Sequence, residues 1–365
     1  MIDRLTLPED PNQITGQMVL CGFAGKTLTD DARRALAEGR LAGVVLFARN
    51  LGTPAEVRAL TDSIRAAAAL PPLIAIDQEG GRVSRLAAPF TQWPAMRELG
   101  RRDDPALARD TAAAIAAELL AAGINTDLAP VLDVDSNPDN PVIGDRSLGP
   151  DPARVAALGA AMIEGFHAAG LNCCAKHFPG HGDAAIDSHL DLPTVTADRA
   201  TLDRRELPPF VAAIAAGAPM VMAAHVKFTA LDRYYPASIS PRILSTLLRE
   251  ELGFAGVVAT DDLEMGALAK YMPLADAAYS AARAGADLLL CCSGPGPAEE
   301  ARRAIRDAIS AGVLPEGQAI ASARRVLSLK EQYLLPGGER RIDPAVIGCE
   351  AHRALADRIR LQIKP

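Results

Sequence analysis

The sequence predicts an α/β fold, a single-domain (β/α)₈ TIM barrel, from three observations. Eight short β-rich runs alternate with segments of helical spacing, which is the element count of this barrel. Polar residues collect directly after the runs, at the end where this fold places functional groups. The competing fold, a doubly wound sheet, would be favoured by a GxGxxG motif at the start of its first helix, and the sequence has no such motif there. The predicted strands are residues 18–24, 43–47, 73–76, 126–133, 172–177, 219–225, 256–261 and 287–292.

Helices are predicted between the strands, and several begin with a Thr-Pro or Asp-Pro pair. Such a pair places a capping oxygen before a proline in the first turn. These pairs stand at positions 53–54, 104–105 and 151–152. The predicted helices between strands are 54–69, 105–122, 152–169 and 241–252, and 297–311 and 318–334 are expected to close the barrel.

One catalytic barrel domain is predicted for residues 1–335, followed by a C-terminal extension over residues 336–365. A Gly-Gly pair at 337–338 breaks the helical pattern. The largely helical stretch 343–363 is too short for a core of its own, so we expect it to pack on the outside of the barrel.

Composition and charge exclude several function classes. A net charge of −7 argues against an electrostatic hold on nucleic acid or an anionic membrane. No apolar run approaches the roughly 20 residues of a membrane span, and the N-terminus lacks a signal-peptide pattern. Four of the six cysteines form two vicinal pairs inside apolar runs, which is typical of buried, reduced thiols. We therefore expect a cytoplasmic protein without a metal or other cofactor.

The densest group of ionisable residues follows the fifth predicted strand. Three of the six histidines lie there, beside Lys176. In an extended segment Asp187 and His189 share a face about 6.5 Å apart. The carboxylate can then fix the imidazole tautomer and raise its basicity, leaving the second nitrogen for proton transfer. A surface ion pair in a turn is the simpler interpretation of this triplet taken alone.

Charged residues also end other strands. Lys176 is costly to desolvate at a barrel mouth unless it meets an oxygen ligand. Asp77 follows the third strand and precedes two glycines, which let a ligand approach the backbone, although a turn-stabilising Asx interaction explains it equally well. Of Asp261 and Asp262, one can point at the barrel axis while the other caps the next helix, and the local pattern fits either assignment.

These segments resemble the signature of family 3 glycoside hydrolases of the β-N-acetylglucosaminidase (β-hexosaminidase) type, the single-domain cytoplasmic enzymes of peptidoglycan recycling. The motifs lie in order over roughly residues 15–335, so the match is specific. They are KHFPGHGD at 176–183 with DSH at 187–189, IDQEGGRV at 76–83, IGDRSL at 143–148, and GFAGVV at 253–258 running into DDLEM at 261–265.

The resemblance implies a retaining mechanism in which a histidine replaces the usual second carboxylate. Asp261 would be the nucleophile that forms a glycosyl-enzyme. His189, oriented by Asp187, would protonate the leaving oxygen and then activate water. The implied substrate is a small carbohydrate, N-acetylglucosamine linked to anhydro-N-acetylmuramic acid or a muropeptide. The residues implied to hold the terminal sugar are Asp77, Arg85, Arg146, Lys176 and His177, and His225 is expected close to this pocket.

Physical reasoning from the residues agrees with these roles. A histidine has an ordinary pKa near 6.5, so it needs little tuning to act near neutral pH. Lys176, Arg85 and Arg146 are expected to favour the ionised form of Asp261. Larger family members complete the site with a second domain. Here we expect the loop 183–189 to fold inward instead.

Three alternatives stay open at this point. A base that is neutral when it acts repels phosphate less than a carboxylate does, so phosphorolysis rivals hydrolysis. A non-catalytic sugar-binding barrel would keep Asp77 and Lys176 but would not need Asp261 with the Asp187–His189 pair. A metal-dependent hydrolase is disfavoured, since no HxH ends the first strand. Its ligands would come from His177, His181, Asp183, Asp187, His189 and His225.

Overall fold

The computed structural model describes residues 5–335 and 342–360. Eight parallel strands close into a barrel, so the predicted (β/α)₈ barrel is confirmed. The barrel strands are β1 (Val19–Cys21), β2 (Gly43–Leu46), β3 (Leu73–Ile76), β4 (Thr126–Asp127), β5 (Asn172–Phe178), β6 (Met220–Ala223), β7 (Val257–Asp262) and β8 (Leu288–Cys291). Their order around the barrel is β1-β8-β7-β6-β5-β4-β3-β2. A separate two-stranded ribbon joins Thr194–Val195 to Lys227–Phe228.

The fourth strand is much shorter than the predicted run 126–133. Its regular pairing with β5 ends at Asp127 and resumes only in an isolated bridge between Val131 and Lys176. Pro130 lies between the two, and a proline has no N–H to donate to a ladder. The β-rich composition therefore overestimated the length of this strand.

The three predicted capping pairs start helices as expected. Thr53 forms a capping box with Glu56, and Asp104 and Asp151 accept from backbone N–H groups of the first turn. The predicted helix 241–252 is a π-helical segment, Arg242–Glu251. The α-helices are α1 (Pro11–Gly16), α2 (Asp30–Ala37), α3 (Pro54–Ala67), α4 (Met96–Arg102), α5 (Pro105–Ala121), α6 (Pro152–Ala169), α7 (Arg199–Arg205), α8 (Leu207–Ala215), α9 (Gly266–Ala269), α10 (Leu274–Ala284), α11 (Pro295–Ser310), α12 (Glu316–Leu334) and α13 (Glu350–Arg360).

Neighbouring side chains on the strands fill two different parts of the core. On β5, Cys173 packs outward against the helices and Cys174 packs into the barrel, as the alternation of a strand requires. Both thiols are buried and unpaired. Val326 and Leu329 of α12 join the cluster inside the barrel, so this helix covers its N-terminal end.

The described part of the C-terminal segment lies against α4 and α5. His352 of α13 makes a 2.8 Å contact with the carboxylate of Glu118 on α5. The Gly-Gly pair and the predicted helical residues 361–363 lie outside the described residues, and a domain boundary at 335/336 stays a prediction. Within 5–335 and 342–360, no helix combines the length and the apolar character needed to cross a membrane.

A substitution in β2 tests the close approach of the barrel strands. Gly43 pairs with Leu73, and an added Cβ would lie 1.9 Å from the Leu73 carbonyl oxygen. We expect Gly43→Ala to destabilise the fold by about 2 kcal/mol or more, measured as a lower midpoint of thermal unfolding. Gly317→Ala is the matched control. It adds a methyl where nothing lies within 4 Å, so its midpoint should equal or exceed that of the wild type. An unchanged midpoint for Gly43→Ala would contradict the close pairing of β2 with β3.

Candidate active site

A cavity of about 340 Å³ opens at the C-terminal end of the barrel. It is lined by residues that end or follow β2, β3, β5, β7 and β8, and by two long loops. Asp261 and His189 therefore face one space, although they lie on separate parts of the chain. The structure brings all eight predicted site residues to this cavity: Asp77, Arg85, Arg146, Lys176, His177, Asp187, His189 and Asp261.

A second, larger cavity of about 530 Å³ lies at the opposite end of the barrel. Its lining includes Leu120, Asn125, His167 and Tyr333, and none of the predicted site residues. Size alone would favour it as a site. We assign the chemistry to the smaller cavity because the carboxylates and imidazoles converge there.

Lys176 is the central cation of the smaller cavity. Its side chain is 2% exposed, and its Nζ lies 2.6 Å from Asp77 Oδ1 and 2.7 Å from Glu79 Oε1. Arg146 makes two 2.8 Å hydrogen bonds to the Glu79 carboxylate, and Arg85 lies 3.4 Å from Asp77. The lysine thus meets oxygen ligands, as expected for a desolvated ammonium, and Asp77 serves as an ionic partner.

The charges in this cluster stabilise one another. Burial raises the pKa of the Glu79 carboxyl, but Lys176 and Arg146 outweigh it and hold that pKa well below its usual range. Burial lowers the pKa of Lys176, and the carboxylates of Asp77 and Glu79 raise it above its ordinary value. Glu79 and Lys176 are therefore both ionised throughout the neutral range.

His177 is oriented by a buried carboxylate. Its Nδ1 lies 2.7 Å from Asp133 Oδ2, and its Nε2 lies 3.5 Å from a guanidinium nitrogen of Arg146. Because an ionised carboxylate can only accept, the Nδ1–H donates to Asp133. Burial raises the pKa of Asp133, but the adjacent imidazole brings it below its usual value. Asp133 thus orients His177 toward the cavity.

The two aspartates of β7 have different partners. Asp262 accepts hydrogen bonds from the backbone N–H groups of Glu264 and Cys292, which ties β7 to its own turn and to the end of β8. Burial raises the pKa of Asp262 to about 6. Asp261 lines the cavity, and its carboxylate accepts from the N–H of Asp262. Both aspartates line the cavity, but Asp262 is also engaged in the turn and at the end of β8, so Asp261 stays the predicted nucleophile.

Only one of the three groups that the sequence predicted to lower the pKa of the Asp261 carboxyl, Lys176, is among the main causes of its lowering. Burial raises its pKa, but His177, then His225 and, less strongly, Lys176 lower it below the ordinary value. We expected contributions from Arg85 and Arg146 as well. These two arginines pair with Asp77 and Glu79 instead.

The predicted Asp187–His189 pair forms at the edge of the cavity. One oxygen of Asp187 accepts from both Nδ1 and the backbone N–H of His189, each at 2.8 Å. The imidazole is 64% exposed. Its Nε2 has no protein partner within the described residues, so it is open to a bound molecule. Burial raises the pKa of Asp187, but these two bonds bring it below the usual value.

Sequence reasoning did not single out Glu79 and Asp133. Both are fully buried acids at the ends of strand-like runs, Glu79 two residues after Asp77 and Asp133 at the end of the predicted fourth strand. The rule that selected Asp77 could have found them, because it applies to every acid at a strand end.

The ligand set considered for a metal is divided among protein partners. Asp183 pairs with Arg205 at 2.7 Å, and His225 contacts the Ser238 hydroxyl and the Asp262 carbonyl. In the part of the chain that the structure describes, no three histidine, cysteine or acidic side chains are grouped so that they could hold a metal ion.

Comparison with known proteins decides the family. The profile of the glycosyl hydrolase family 3 N-terminal domain matches residues 12–329, most of the chain. The chain belongs to glycosyl hydrolase family 3. As a family 3 member it is a glycoside hydrolase, and the alternative of a non-catalytic sugar-binding barrel is not supported.

Relatives of this family 3 chain carry informative names. A "Beta-hexosaminidase" of Nitrosomonas eutropha is 40% identical over 288 residues, 77% of this chain and 82% of the relative. The family 3 β-N-acetylglucosaminidase of Paenibacillus sp. str. FPU-7 superposes with a TM-score of 0.90 at 41% identity, over 97% of this chain and 68% of that one. NagZ from Neisseria gonorrhoeae, in complex with N-trifluoroacetyl-D-glucosamine, has a TM-score of 0.80 at 32% identity, covering 94% and 97%.

The buried charges predict how stability responds to acid. The pKa of Glu79 is lower in the folded state than in the unfolded state. The contribution of its carboxylate to the free energy of unfolding is therefore complete above the unfolded-state pKa of about 4.3, and it is lost as pH falls toward the folded-state pKa. Glu79→Gln removes the carboxylate that pairs with Lys176 and Arg146. We expect it to lower the free energy of unfolding by about 3–5 kcal/mol near pH 7. Urea unfolding measured from pH 7 to pH 3 should show that the difference in unfolding free energy between the wild type and Glu79→Gln becomes smaller below about pH 4.3.

The control for this measurement is Glu300→Gln, an exposed glutamate on α11. Its unfolding free energy should follow the wild type at every pH. A difference between wild type and Glu79→Gln that stays constant down to pH 3 would contradict the depressed pKa.

Proposed function

We propose that this protein is a retaining β-N-acetylglucosaminidase that removes terminal, non-reducing N-acetylglucosamine from peptidoglycan-derived muropeptides. One observation carries the proposal: the ionised Asp261 and the Asp187–His189 pair line the same cavity. A carboxylate nucleophile and a separate proton donor are the two groups that a retaining glycosidase needs. The names of the relatives, β-hexosaminidase and β-N-acetylglucosaminidase, support the choice of sugar.

In the first step, Asp261 attacks the anomeric carbon and forms a glycosyl-enzyme. The bond from that carbon to the aglycone oxygen breaks, and protonated His189 gives its Nε2 proton to the departing oxygen. In the second step the neutral imidazole takes a proton from water. The water oxygen attacks the anomeric carbon, and the Asp261 carboxylate leaves. Asp187 holds the imidazole through Nδ1, so Nε2 is the atom that exchanges protons.

The remaining cavity residues are proposed to bind the hydroxyls of the terminal sugar. Their positions are fixed before any substrate arrives, because the ion pairs among them restrict the side chains. A rigid set of donors and acceptors orients the anomeric carbon toward Asp261. These residues are Asp77, Arg85, Arg146, Lys176 and His177.

A cytoplasmic location and a role in peptidoglycan recycling belong to the same proposal. The cysteines support the location, because all six lie within the described residues as free thiols, and reduced thiols persist in a reducing compartment.

Asp261→Asn and His189→Ala test the two assigned roles. With 4-nitrophenyl N-acetyl-β-D-glucosaminide, Asp261→Asn should lower kcat roughly 10³-fold or more, because the amide is a poor nucleophile. His189→Ala should lower kcat roughly 10²-fold or more on substrates with poor leaving groups.

NMR of the first-formed sugar should show the β-anomer. The α-anomer, or full activity in Asp261→Asn, would refute the mechanism. Asp276→Asn, on the exposed face of α10, is the control and should match the wild type.

Phosphorolysis is the second candidate, because the proposed base is an imidazole and carries no negative charge that would repel phosphate. The assay is a panel of nitrophenyl glycosides with and without phosphate. We expect free N-acetylglucosamine in both cases. Release of a sugar 1-phosphate, seen by ³¹P NMR, would instead identify a phosphorylase with the same site.

A further inference from the structure

The loop that carries His189 contacts the chain segment that follows the strand of Asp261. We call residues 183–191 the acid/base loop and residues 265–271 the post-β7 segment. Two backbone hydrogen bonds join them, from Gly266 N to the His189 carbonyl at 3.2 Å and from Ala267 N to the Ser188 carbonyl at 3.1 Å. The segment after the proposed nucleophile is therefore also the surface on which the proposed proton donor rests.

A glycine makes this contact possible. A Cβ added at Gly266 would lie 2.6 Å from the His189 carbonyl oxygen and 2.8 Å from that of Leu190. Both atoms belong to backbone, so neither can rotate out of the way. Any side chain at position 266 would push the acid/base loop away from β7.

A buried contact holds the acid/base loop from the inside. The Ser188 hydroxyl lies 3.0 Å from Nε2 of His181, and both residues are almost fully buried. The backbone N–H of His181 donates to Asp133, the carboxylate that also orients His177. Burial lowers the pKa of His181 to about 4, so its imidazole is neutral near pH 7. The hydrogen bond between Ser188 and His181 therefore does not change with pH in the neutral range. The inner contact thus connects the loop to the wall of the cavity.

A solvent-exposed contact holds the loop from the outside. Asp191 accepts a hydrogen bond from the Tyr271 hydroxyl and lies 3.2 Å from Nζ of Lys270. The bond from Tyr271 is the main reason that the pKa of Asp191 falls to about 2. The Lys270 and Asp191 side chains are 55% and 41% exposed, and surface contacts of this kind are weak. The outer contact can therefore break and re-form without disturbing the barrel.

We propose that Tyr271 and Asp191, together with the Ser188–His181 contact, are positioning residues that hold His189 over the cavity. The inference rests on the proposed role of His189 as acid/base. The imidazole lies on a loop, and its catalytic position depends on contacts at both sides of that loop. The Tyr271–Asp191 contact is the releasable one, and its opening gives the sugar a way in and out.

Tyr271→Phe tests the inference, because it removes one hydroxyl and keeps the ring. The substrates are the 2,4-dinitrophenyl, 4-nitrophenyl and phenyl N-acetyl-β-glucosaminides, which need increasing help from a proton donor. For the phenyl substrate we expect kcat/KM to fall about two- to tenfold, the range of one hydrogen bond. For the dinitrophenyl substrate it should stay within twofold of the wild type. Asp191→Ala, which removes the acceptor of this bond, should show the same dependence on the leaving group.

Two reference variants give the expected results for no effect and for complete loss of the proposed acid/base. Tyr234→Phe changes another exposed tyrosine, whose hydroxyl has no hydrogen bond to any described residue, and it should match the wild type on all three substrates. His189→Ala should show the same pattern as Tyr271→Phe with a much larger loss on the phenyl substrate. The midpoint of thermal unfolding should be unchanged in Tyr271→Phe, since its hydroxyl contributes to an exposed contact.

The outcomes separate this inference from the proposed function. If the loss of kcat/KM in His189→Ala depends steeply on the leaving group while Tyr271→Phe has the kcat/KM of the wild type on all three substrates, the positioning role is wrong and the proposed function stands. The positioning role is also wrong if Tyr271→Phe slows all three substrates equally, which is the sign of a general structural defect. If His189→Ala loses nothing on the phenyl substrate, the acid/base assignment itself fails.

Discussion

The site depends on the cost of burying Lys176. An ammonium group removed from water is stable only if carboxylates surround it closely, and Asp77 and Glu79 do so at 2.6 and 2.7 Å. Glu79 in turn needs a second cation, which Arg146 supplies through two hydrogen bonds. This chain of requirements fixes side chains from β3, β5 and the loop after β4 relative to one another. The geometry of the cavity follows from charge compensation more than from apolar packing.

The same ion-pair cluster affects Asp261, the proposed nucleophile. Because Asp77 and Glu79 compensate most of the charge of Lys176, Asp261 forms no direct ion pair with any described residue. The pKa of its carboxyl is lowered mainly by the imidazoles of His177 and His225, with a smaller effect of Lys176. A nucleophile should be ionised yet free to attack, and a direct salt bridge would satisfy only the first condition. Stabilisation through nearby groups without a close ion pair satisfies both.

The sequence predicts the parts of this structure that depend on local patterns. The eight strands, the capped helices and the polar ends of β3, β5 and β7 follow from side-chain alternation, Asp-Pro and Thr-Pro pairs, and the position of charged residues. The short β4 was missed because Pro130 interrupts a ladder that composition alone would continue. The contact of Tyr271 with Asp191 joins residues 80 positions apart, and no local pattern reports it. Burial of Glu79 and its pairing with Arg146 likewise become visible only when β3 and the loop after β4 are placed together.

The two proposed reacting groups differ in how they are held, and the difference fits their tasks. Asp261 lies on a barrel strand, between hydrogen-bonded neighbours, and must keep one position through both chemical steps. His189 must approach the aglycone oxygen, yet it must also let the aglycone leave and water enter. A loop with one buried contact at Ser188 and one exposed contact at Asp191 meets both demands, because the buried contact preserves the position to which the loop returns while the exposed one opens at little cost. A histidine placed on a barrel strand would have the accuracy of Asp261 but could not clear the path of the leaving group.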